Sequence, residues 1–350
     1  MTRSLIFSYS GQTYELDIDN ALIFVGGDHV AKREFHKILK RFAAYGTYSP
    51  SEVSLFGEVG IEIEYDNKKL TKNENDFIFI DNLHDILHQF EYKRDSLLFN
   101  AISDYKDDYE INNIIYKVND LLIHVENKLN QNMGLDNNRI SLTLKDLTFD
   151  DIVKNLIDVN HIYNEIEVPS YFVKLEDTID SFLALLKQRV ENSSKMHWIV
   201  LNSPESIFRS EAFYYFYKKL ENVAQETGRL KIIVLHYRAV PYYDLTDIES
   251  IVLAFNGFQQ LPDIDSFYQS IERNYPCKLV ESKVDVLNSF FRVCNFIGDY
   301  NRTYYYLMHK DMVLLYVLRD ILNDDSDFEV ENRNITTLEE KYLKSKGFRM

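Results

Sequence analysis

One stretch near the N-terminus constrains the fold more than any other: ALIFVGGDHVAKREFHKILKRF, residues 21–42. Five apolar residues, typical of a fully buried strand, run directly into two glycines. A helical pattern follows, and its apolar residues fall on one face: Phe35, Ile38, Leu39 and Phe42. The sequence therefore predicts an α/β core in which this strand is followed by a tight turn and an amphipathic helix.

The spacing of the glycines and the lysine resembles the phosphate-binding loop G-x-x-x-x-G-K-[ST], with two positions changed. A working loop needs a glycine, then a lysine for the β- and γ-phosphates, then a hydroxyl that holds Mg²⁺. Counted from Gly26, these places are taken by Ala31, Lys32 and Arg33. A guanidinium cannot ligate Mg²⁺. The pattern predicts a degenerate loop with no bound nucleotide, and an ordinary strand-to-helix turn capped by Asp28 explains it equally well.

The sequence leaves one alternative open, a nucleotide-dependent enzyme (an ATPase or GTPase) with an unorthodox phosphate loop at Gly26–Arg33. Asp81, at the end of the apolar run 77–81, is placed to serve as a metal-side carboxylate. Asn202, at the equivalent end of 196–202, is neutral. No G-x-S-x-G sequence is present, and neither cysteine lies in a motif that would make it a nucleophile.

The order of strand and helix patterns divides the chain into three regions. Strands and helices alternate at the two ends of the first 256 residues, and the middle of that range is mostly helical. We predict an α/β head formed by 1–100 and 192–256, a helical leg at 101–191, and a mostly helical C-terminal extension at 262–350 that ends in a loosely ordered tail.

The charge of the chain bears on its partners. The formal net charge is −16, which taken alone argues against nucleic acid, because DNA would be repelled. Basic residues nevertheless cluster in the polar turn 66–75 and on the helix after the glycines. We predict these clusters as candidate DNA contacts, the alternative being solvated surface: Lys68, Lys69 and Lys72 in the turn, and Lys32, Lys37, Lys40 and Arg41 on the helix.

The flanks of that turn, 61–65 and 77–81, are predicted to pair as one hairpin with a basic tip. The two histidines of HDILH, 84–88, share a helix face but lack a third ligand, so a zinc site is not predicted. The longest apolar run, 312–318, is too short to span a membrane. Two cysteines and the absence of a signal peptide predict a cytoplasmic protein with no membrane contact.

Four stretches together resemble a known family, the ring-forming spacer-acquisition protein of type II-A CRISPR systems in its large variant. They are ALIFVGGDHVAKREFHKILKRF, IEYDNKKLTKNENDFIFIDN, VNDLLIHVENKLN through KDLTFDDIVKNLI, and KMHWIVLNSPESIF with LKIIVLHY. They cover about residues 1–256, and the C-terminal extension would correspond to the additional part of the large variant.

The resemblance implies a P-loop-NTPase-like head with a degenerate phosphate loop, a helical leg insertion and no catalysis. It implies a homotetrameric ring that binds double-stranded DNA ends without sequence preference and acts with the RNA-guided nuclease and the integrase complex when new spacers are captured in antiviral defence. Lys68, Lys69 and Lys72 match the basic hairpin that lines the hole of the ring. Short members hold calcium where head and leg meet, and of their ligands only Glu126, in HVEN, is matched here.

Overall fold

The computed structural model describes residues 3–44, 46–56, 60–133, 140–163, 166–169, 175–238, 240–299, 307–324 and 337–345. The chain forms two compact units: unit 1 is Met1–Asn82 with Ser193–Met350, and unit 2 is Leu83–Asn192. The sequence interpretation placed the first boundary at residue 100 and set 262–350 apart. In the structure the first boundary falls at Asn82, and the C-terminal helices belong to unit 1.

Twelve strands are present among the described residues. In chain order they are β1 Arg3–Tyr9, β2 Gln12–Ile18, β3 Ala21–Val25, β4 Ile63–Tyr65, β5 Lys68–Lys69, β6 Asn75–Ile80, β7 Asn160–Tyr163, β8 Ile166–Pro169, β9 Met196–Asn202, β10 Leu230–Leu235, β11 Ile251–Ala254 and β12 Phe258–Gln260.

The described part of the chain also contains twelve α-helices. They are α1 His29–Ala43, α2 Pro50–Phe56, α3 Leu83–His88, α4 Leu97–Ser103, α5 Tyr109–Asn132, α6 Phe149–Asn155, α7 Leu175–Asn192, α8 Ser210–Thr227, α9 Ile264–Asn274, α10 Lys283–Val293, α11 His309–Leu322 and α12 Thr337–Ser345. Within the described residues, no helix combines the length and hydropathy needed to cross a bilayer.

Unit 1 is built on a six-stranded sheet in the order β12–β11–β3–β10–β9–β6. All strands except β12 run parallel. Every residue of β3 and of β10 is buried, as expected for central strands covered on both faces. The predicted α/β fold is confirmed at this level, with a parallel sheet at its centre.

The centre of the sheet contains a change in the direction of chain travel. After β3 the chain continues to β6, on the β10 side of the sheet, whereas after β10 it continues to β11, on the other side of β3. The connections that leave the neighbouring strands β3 and β10 therefore run in opposite directions across the sheet. In open α/β sheets the crevice outside the carboxyl ends of such strands is the usual place for a ligand.

A second sheet, β2–β1–β4–β5, lies in the same unit and corrects one prediction. The sequence predicts a hairpin from 3–9 and 12–17 around Gly11, and it forms, with β1 antiparallel to β2. The segments 61–65 and 77–81 do not pair with each other: β4 pairs with β1 and β5, and β6 pairs with β9 in the other sheet. A two-residue turn at Asp66 and Asn67, both with positive φ, closes the hairpin early, which frees the chain after Lys69 to cross to the larger sheet.

Some predicted helix boundaries also move. The sequence predicts a helix that begins at Pro204 and ends at Gly228. In the structure Pro204 begins a single 3₁₀ turn, and α8 starts only at Ser210. Gly228 ends that helix with φ +63°, as predicted for a helix C-terminus. The segment 140–148 is irregular, and the leg predicted as helical also contains a hairpin, in which β7 pairs with β8. In the predicted tail, α12 is helical, and 325–336 and 346–350 lie outside the described residues.

The C-terminal helices of unit 1 are joined by a partly buried ion pair. Arg292 on α10 donates from Nε and Nη2 to the two carboxylate oxygens of Asp311 on α11, at 2.7 and 2.8 Å. Asp311 is only 2% exposed, so its charge is balanced almost entirely by this bidentate contact.

The turn between β3 and α1 generates a stability prediction. Gly26 has φ +101°, and a Cβ there would lie 2.5 Å from the carbonyl oxygen of Ala254. Gly228 also has positive φ, but a Cβ at that position would meet no atom within 4 Å, which makes it a matched control. We expect Gly26→Ala to lower the free energy of unfolding by at least about 3 kcal/mol, through backbone strain plus overpacking. Gly228→Ala should cost only about 1 kcal/mol.

The measurement is urea unfolding followed by the fluorescence of Trp198, the only tryptophan of the chain and a core residue of unit 1. Equal losses for the two variants would show that Ala254 does not confine Gly26.

Candidate functional site

The glycine turn after β3 is held by the C-terminal part of the chain. The backbone N–H of Gly26 donates to Asn295 Oδ1 at 2.8 Å, and that of Gly27 donates to the carbonyl of Ile297 at 2.7 Å. In a phosphate-binding loop, these N–H groups would face the ligand. Here a segment some 270 residues later in the chain occupies that position.

The same segment fills the space over the turn. A Cβ at Gly27 would lie 2.4 Å from the backbone nitrogen of Asp299 and 2.7 Å from the Ile297 carbonyl. Asp28 caps α1 as predicted, its Oδ1 accepting from the N–H of Ala31 at 2.9 Å. The turn therefore offers neither room nor free donors to a phosphate.

Lys32 is placed differently from the sequence prediction. Its side chain is fully buried, and Nζ donates to the carbonyl oxygen of Gly26 at 2.6 Å and to that of His236. Burial lowers the pKa of Lys32 to about 8. A lysine held by two internal carbonyls cannot reach a phosphate outside, so its prediction as a DNA contact is wrong.

A second buried network ties the ends of β9 and β10 together. The carboxylate of Glu205 lies 3.0 Å from His236 Nδ1 and accepts from the N–H groups of Tyr237 and Arg238 at 2.8 and 3.0 Å. His236 Nε2 lies 2.7 Å from the hydroxyl of Tyr243. Burial alone would raise the pKa of Glu205, but the contact with His236 outweighs it, so the pKa falls to about 2. The carboxylate therefore stays charged and fixes the loop after β10.

The carboxylate of Asp81, the candidate metal ligand, binds side chains of α1 instead. One oxygen lies 2.9 Å from His36 Nε2, and the other accepts from Lys40 Nζ. Burial would raise the pKa of Asp81, but these two contacts lower it to about 2. Asn202 Oδ1, at the end of β9, is buried without a partner among the described residues. Among the residues that the structure describes, no nucleotide-metal site is assembled around the turn.

The other basic residues of α1 differ in how strongly their charged groups are already bound by neighbouring side chains. Lys37 is exposed and forms a surface pair with Glu34 at 2.8 Å. Lys40 is bound to Asp81. Arg41 is bound to Glu52, and its guanidinium lies 4.3 Å from the ring centre of Tyr48. Exposed pairs such as that of Lys37 contribute little and exchange readily, so Lys37 is the most available of the predicted helix contacts.

The basic hairpin presents its lysines from a short, well-defined turn. Lys68 is paired with Tyr65 and Lys69 with Glu64 across the β4–β5 ladder, and both lysines are exposed. The ammonium of Lys69 contacts Glu62. Lys72 is half-buried and donates to the carbonyl of Ala44. Within the described residues, Lys68 forms no ion pair.

Glu126, the predicted calcium ligand, has a structural partner. On α5 its Oε2 accepts from the N–H of Leu144 at 2.6 Å, which fastens the irregular segment to the helix. Across the described ranges no group of three or more His, Cys, Asp or Glu side chains is arranged to hold a metal ion. Among the described residues, Glu126 is thus the one predicted ligand, and it is bonded to the backbone of Leu144.

Several residues of this region could not be found from the sequence. Asn295 and Ile297 lie in an unremarkable helical stretch, and only the folded chain brings them to the turn. Glu205 follows a proline and resembles an ordinary first-turn acid. The one available signal was the pair of histidine and tyrosine residues after β10, at the carboxyl end of a central strand.

The buried Lys32 predicts a pH dependence of stability. Its pKa is about 8 in the folded state and about 10.4 in the unfolded state. Between these values the unfolded chain holds the extra proton, so the free energy of unfolding should rise with pH by about 3 kcal/mol. Lys32→Met should lack this rise. Burial also lowers the pKa of Lys231 to about 8. Because Lys231 is present in both proteins, its contribution cancels when their free energies of unfolding are subtracted.

The comparison is made by urea unfolding at pH 7, 8, 9 and 10. A difference between the wild type and Lys32→Met that does not change with pH would contradict a desolvated ammonium at this position.

No family model matches the sequence, and no curated protein matches it. Among solved structures, the crystal structure of Stu0660 of Streptococcus thermophilus is similar, with a TM-score of 0.78 and 18% identity over 98% of this chain and 99% of that chain. CbiO1 from Clostridium perfringens, part of the ABC transporter complex cbiONQ, has a TM-score of 0.37 and 13% identity over 78% of this chain and 93% of that chain. A TM-score this low does not indicate a shared fold. The likeness to Stu0660 shows a shared mixed α/β fold with a parallel sheet.

Proposed function

We propose that this protein is a non-catalytic, cytoplasmic DNA-end-binding protein with a P-loop-NTPase-like head and a helical leg. Four copies form a ring that holds double-stranded DNA ends without reading sequence. In that form it serves spacer acquisition in CRISPR immunity, together with an RNA-guided nuclease and an integrase complex. The resemblance of the four sequence stretches supports this role.

The observation that carries the proposal is the basic hairpin. In a chain of net charge −16, three lysines lie within five residues, two of them on the short strand β5 and the third just after it. Lys68 and Lys69 are exposed, and the Lys69–Glu62 contact is a surface pair that a phosphate can replace at little cost. A polar turn with three lysines and no aromatic side chain is suited to the phosphate backbone rather than to base edges.

The glycine turn supports the absence of catalysis. Its N–H groups are used by Asn295 and Ile297, and Lys32 is turned into the core. An ATPase or GTPase acting at Gly26–Arg33 would need all three groups to face the ligand. The strand, turn and helix therefore serve as scaffold in this proposal.

The surface of α5 supports self-association. This 24-residue helix has a single buried residue, Ile115, among those described. Ile114, Leu121 and Val125 are 60%, 64% and 49% exposed, and their spacing of seven and four residues places them on one face. Apolar stripes of this kind mark an interface, and we propose that a second copy of this chain covers it in the ring.

The hairpin is tested by changing Lys68, Lys69 and Lys72 together to Glu. We expect binding of linear duplex DNA to disappear in gel-shift and anisotropy measurements. For single changes such as Lys68→Gln, each lost phosphate contact should reduce the slope of log K against log salt by about 0.9. The wild type should bind linear duplex and fail to bind closed circular duplex.

The matched control changes Lys154, Lys219 and Lys278, three exposed lysines outside the hairpin, to Glu. It alters the net charge equally and should leave most of the affinity. Similar losses in both triple variants, or equal binding of circular and linear DNA by the wild type, would argue against the proposal.

The stripe on α5 is tested with Leu121→Asp/Val125→Asp. Since both side chains are exposed in the single chain, folding should change by less than about 1 kcal/mol. The assembly should dissociate, as measured by light scattering and sedimentation. The control, Asn113→Asp/Asn127→Asp, adds two carboxylates to another face of the same helix and should keep the wild-type assembly. A tetramer that persists in the first variant would exclude this face as the interface.

A further inference from the structure

A cleft opens at the carboxyl ends of β3 and β10, beside the glycine turn. Its volume is about 850 Å³, within the range of about 300–1,000 Å³ that is usual for small-molecule sites. The walls come from three parts of unit 1: the first turns of α1, the loop after β10, and the C-terminal helices α10 and α11. It lies at the reversal of chain direction in the sheet, where α/β folds generally bind ligands.

One wall of the cleft, at the start of the loop after β10, is held by hydrogen bonds within the chain. Glu205 holds the N–H groups of Tyr237 and Arg238. The side-chain amide of Asn295 donates to the carbonyl of Arg238, and its oxygen accepts from Gly26. The loop after β10 is thus fastened on both sides, and a site of this kind loses little entropy on binding.

Two arginines give the cleft unbalanced positive charge. Arg33, from α1, and Arg238, from the loop after β10, both line it and are exposed. Neither forms an ion pair with any described residue. Of the two carboxylates in the lining, Asp311 is bound to Arg292, and Asp299 offsets one of the two remaining positive charges, which leaves the lining with a net positive charge. Two guanidiniums from different elements can bracket a phosphate through charged hydrogen bonds.

Two residues of the same walls also carry buried polar atoms. His29 Nδ1 and the hydroxyl of Tyr237 are buried and have no hydrogen-bond partner within the described residues. The two rings lie side by side, with centroids 5.7 Å apart. Buried polar atoms without partners are costly, and a ligand oxygen could bond to these two only if the His29 and Tyr237 side chains turned toward the cleft.

The remaining lining is apolar and aromatic. Phe291 and Phe296 come from the C-terminal region, and Val240 comes from the loop after β10. Together with the ring of Tyr237, the two phenylalanine rings and Val240 give the lining an apolar, largely aromatic part. A bare inorganic anion would leave this part of the cleft unused.

From these observations we infer that unit 1 binds a phosphate monoester carried on an aromatic group, the chemistry of a nucleoside monophosphate. Arg33 and Arg238 hold the phosphate, and the aromatic lining holds the attached ring. Recognition is by side chains, because the backbone of the neighbouring glycine turn is already bonded to the C-terminal segment. The site is separate from the basic hairpin and does not depend on DNA binding.

The test is isothermal titration calorimetry of the full-length protein with AMP, adenosine, inorganic phosphate and benzoate. We expect AMP to bind at least about tenfold more tightly than each of the other three, since each lacks the phosphate or the aromatic ring. Arg33→Gln/Arg238→Gln should weaken AMP binding by about 100-fold, as two charged hydrogen-bonding groups are lost. Lys219→Gln/Lys278→Gln, which removes two charges elsewhere, should bind AMP as the wild type does.

Three results would overturn the inference: no AMP binding at millimolar concentration, equal binding of adenosine or benzoate, or an unchanged affinity in the arginine variant. Both arginines are exposed, so the variant is expected to fold, which its circular dichroism and thermal unfolding check. The hairpin variant with Lys68, Lys69 and Lys72 changed to Glu should keep its affinity for AMP, which separates failure of this site from failure of the DNA-binding proposal.

Discussion

The two hydrogen bonds from Gly26 and Gly27 to the segment at Asn295–Ile297 determine much of what this chain can do. They satisfy the donors that a phosphate loop would offer to a ligand. They also bring the C-terminal helices against the carboxyl ends of the central strands. With the turn closed in this way, the Lys32 ammonium has only internal carbonyls to bind, and the open cleft lies to one side of the turn rather than over it.

Elements set by local pattern were predictable from the sequence, and those set by tertiary pairing were not. The apolar run of β3, the cap at Asp28 and the end of α8 at Gly228 follow from periodicity and backbone chemistry alone. The pairing of β4 was predicted wrongly, because an alternating pattern does not reveal which strand lies beside it. The available clue was the dipeptide Asp66–Asn67, whose residue types tolerate the positive φ found at the β4–β5 turn.

The residues of the candidate site were harder to predict than the strands and helices, because the sequence does not show what a given lysine contacts. Lys32 and Lys37 lie five residues apart on one helix, yet the first is fully buried and the second is exposed. How deeply each face of α1 packs against the sheet decides which lysine is buried, and the local sequence does not contain that information. Arg33 and Arg238 line a common cleft although 205 positions separate them in the numbering.

The interleaved order of the large sheet has a consequence for synthesis on the ribosome. Strand β3 is made early, but its two neighbours, β10 and β11, are complete only after residue 254 has been added. Contacts this distant in sequence form slowly, since a long loop must close first. Unit 2, which is continuous from Leu83 to Asn192, emerges whole before the sheet can close. The nascent chain must therefore carry an unpaired, wholly apolar strand through more than half of its translation, a period in which chaperones would protect it from aggregation.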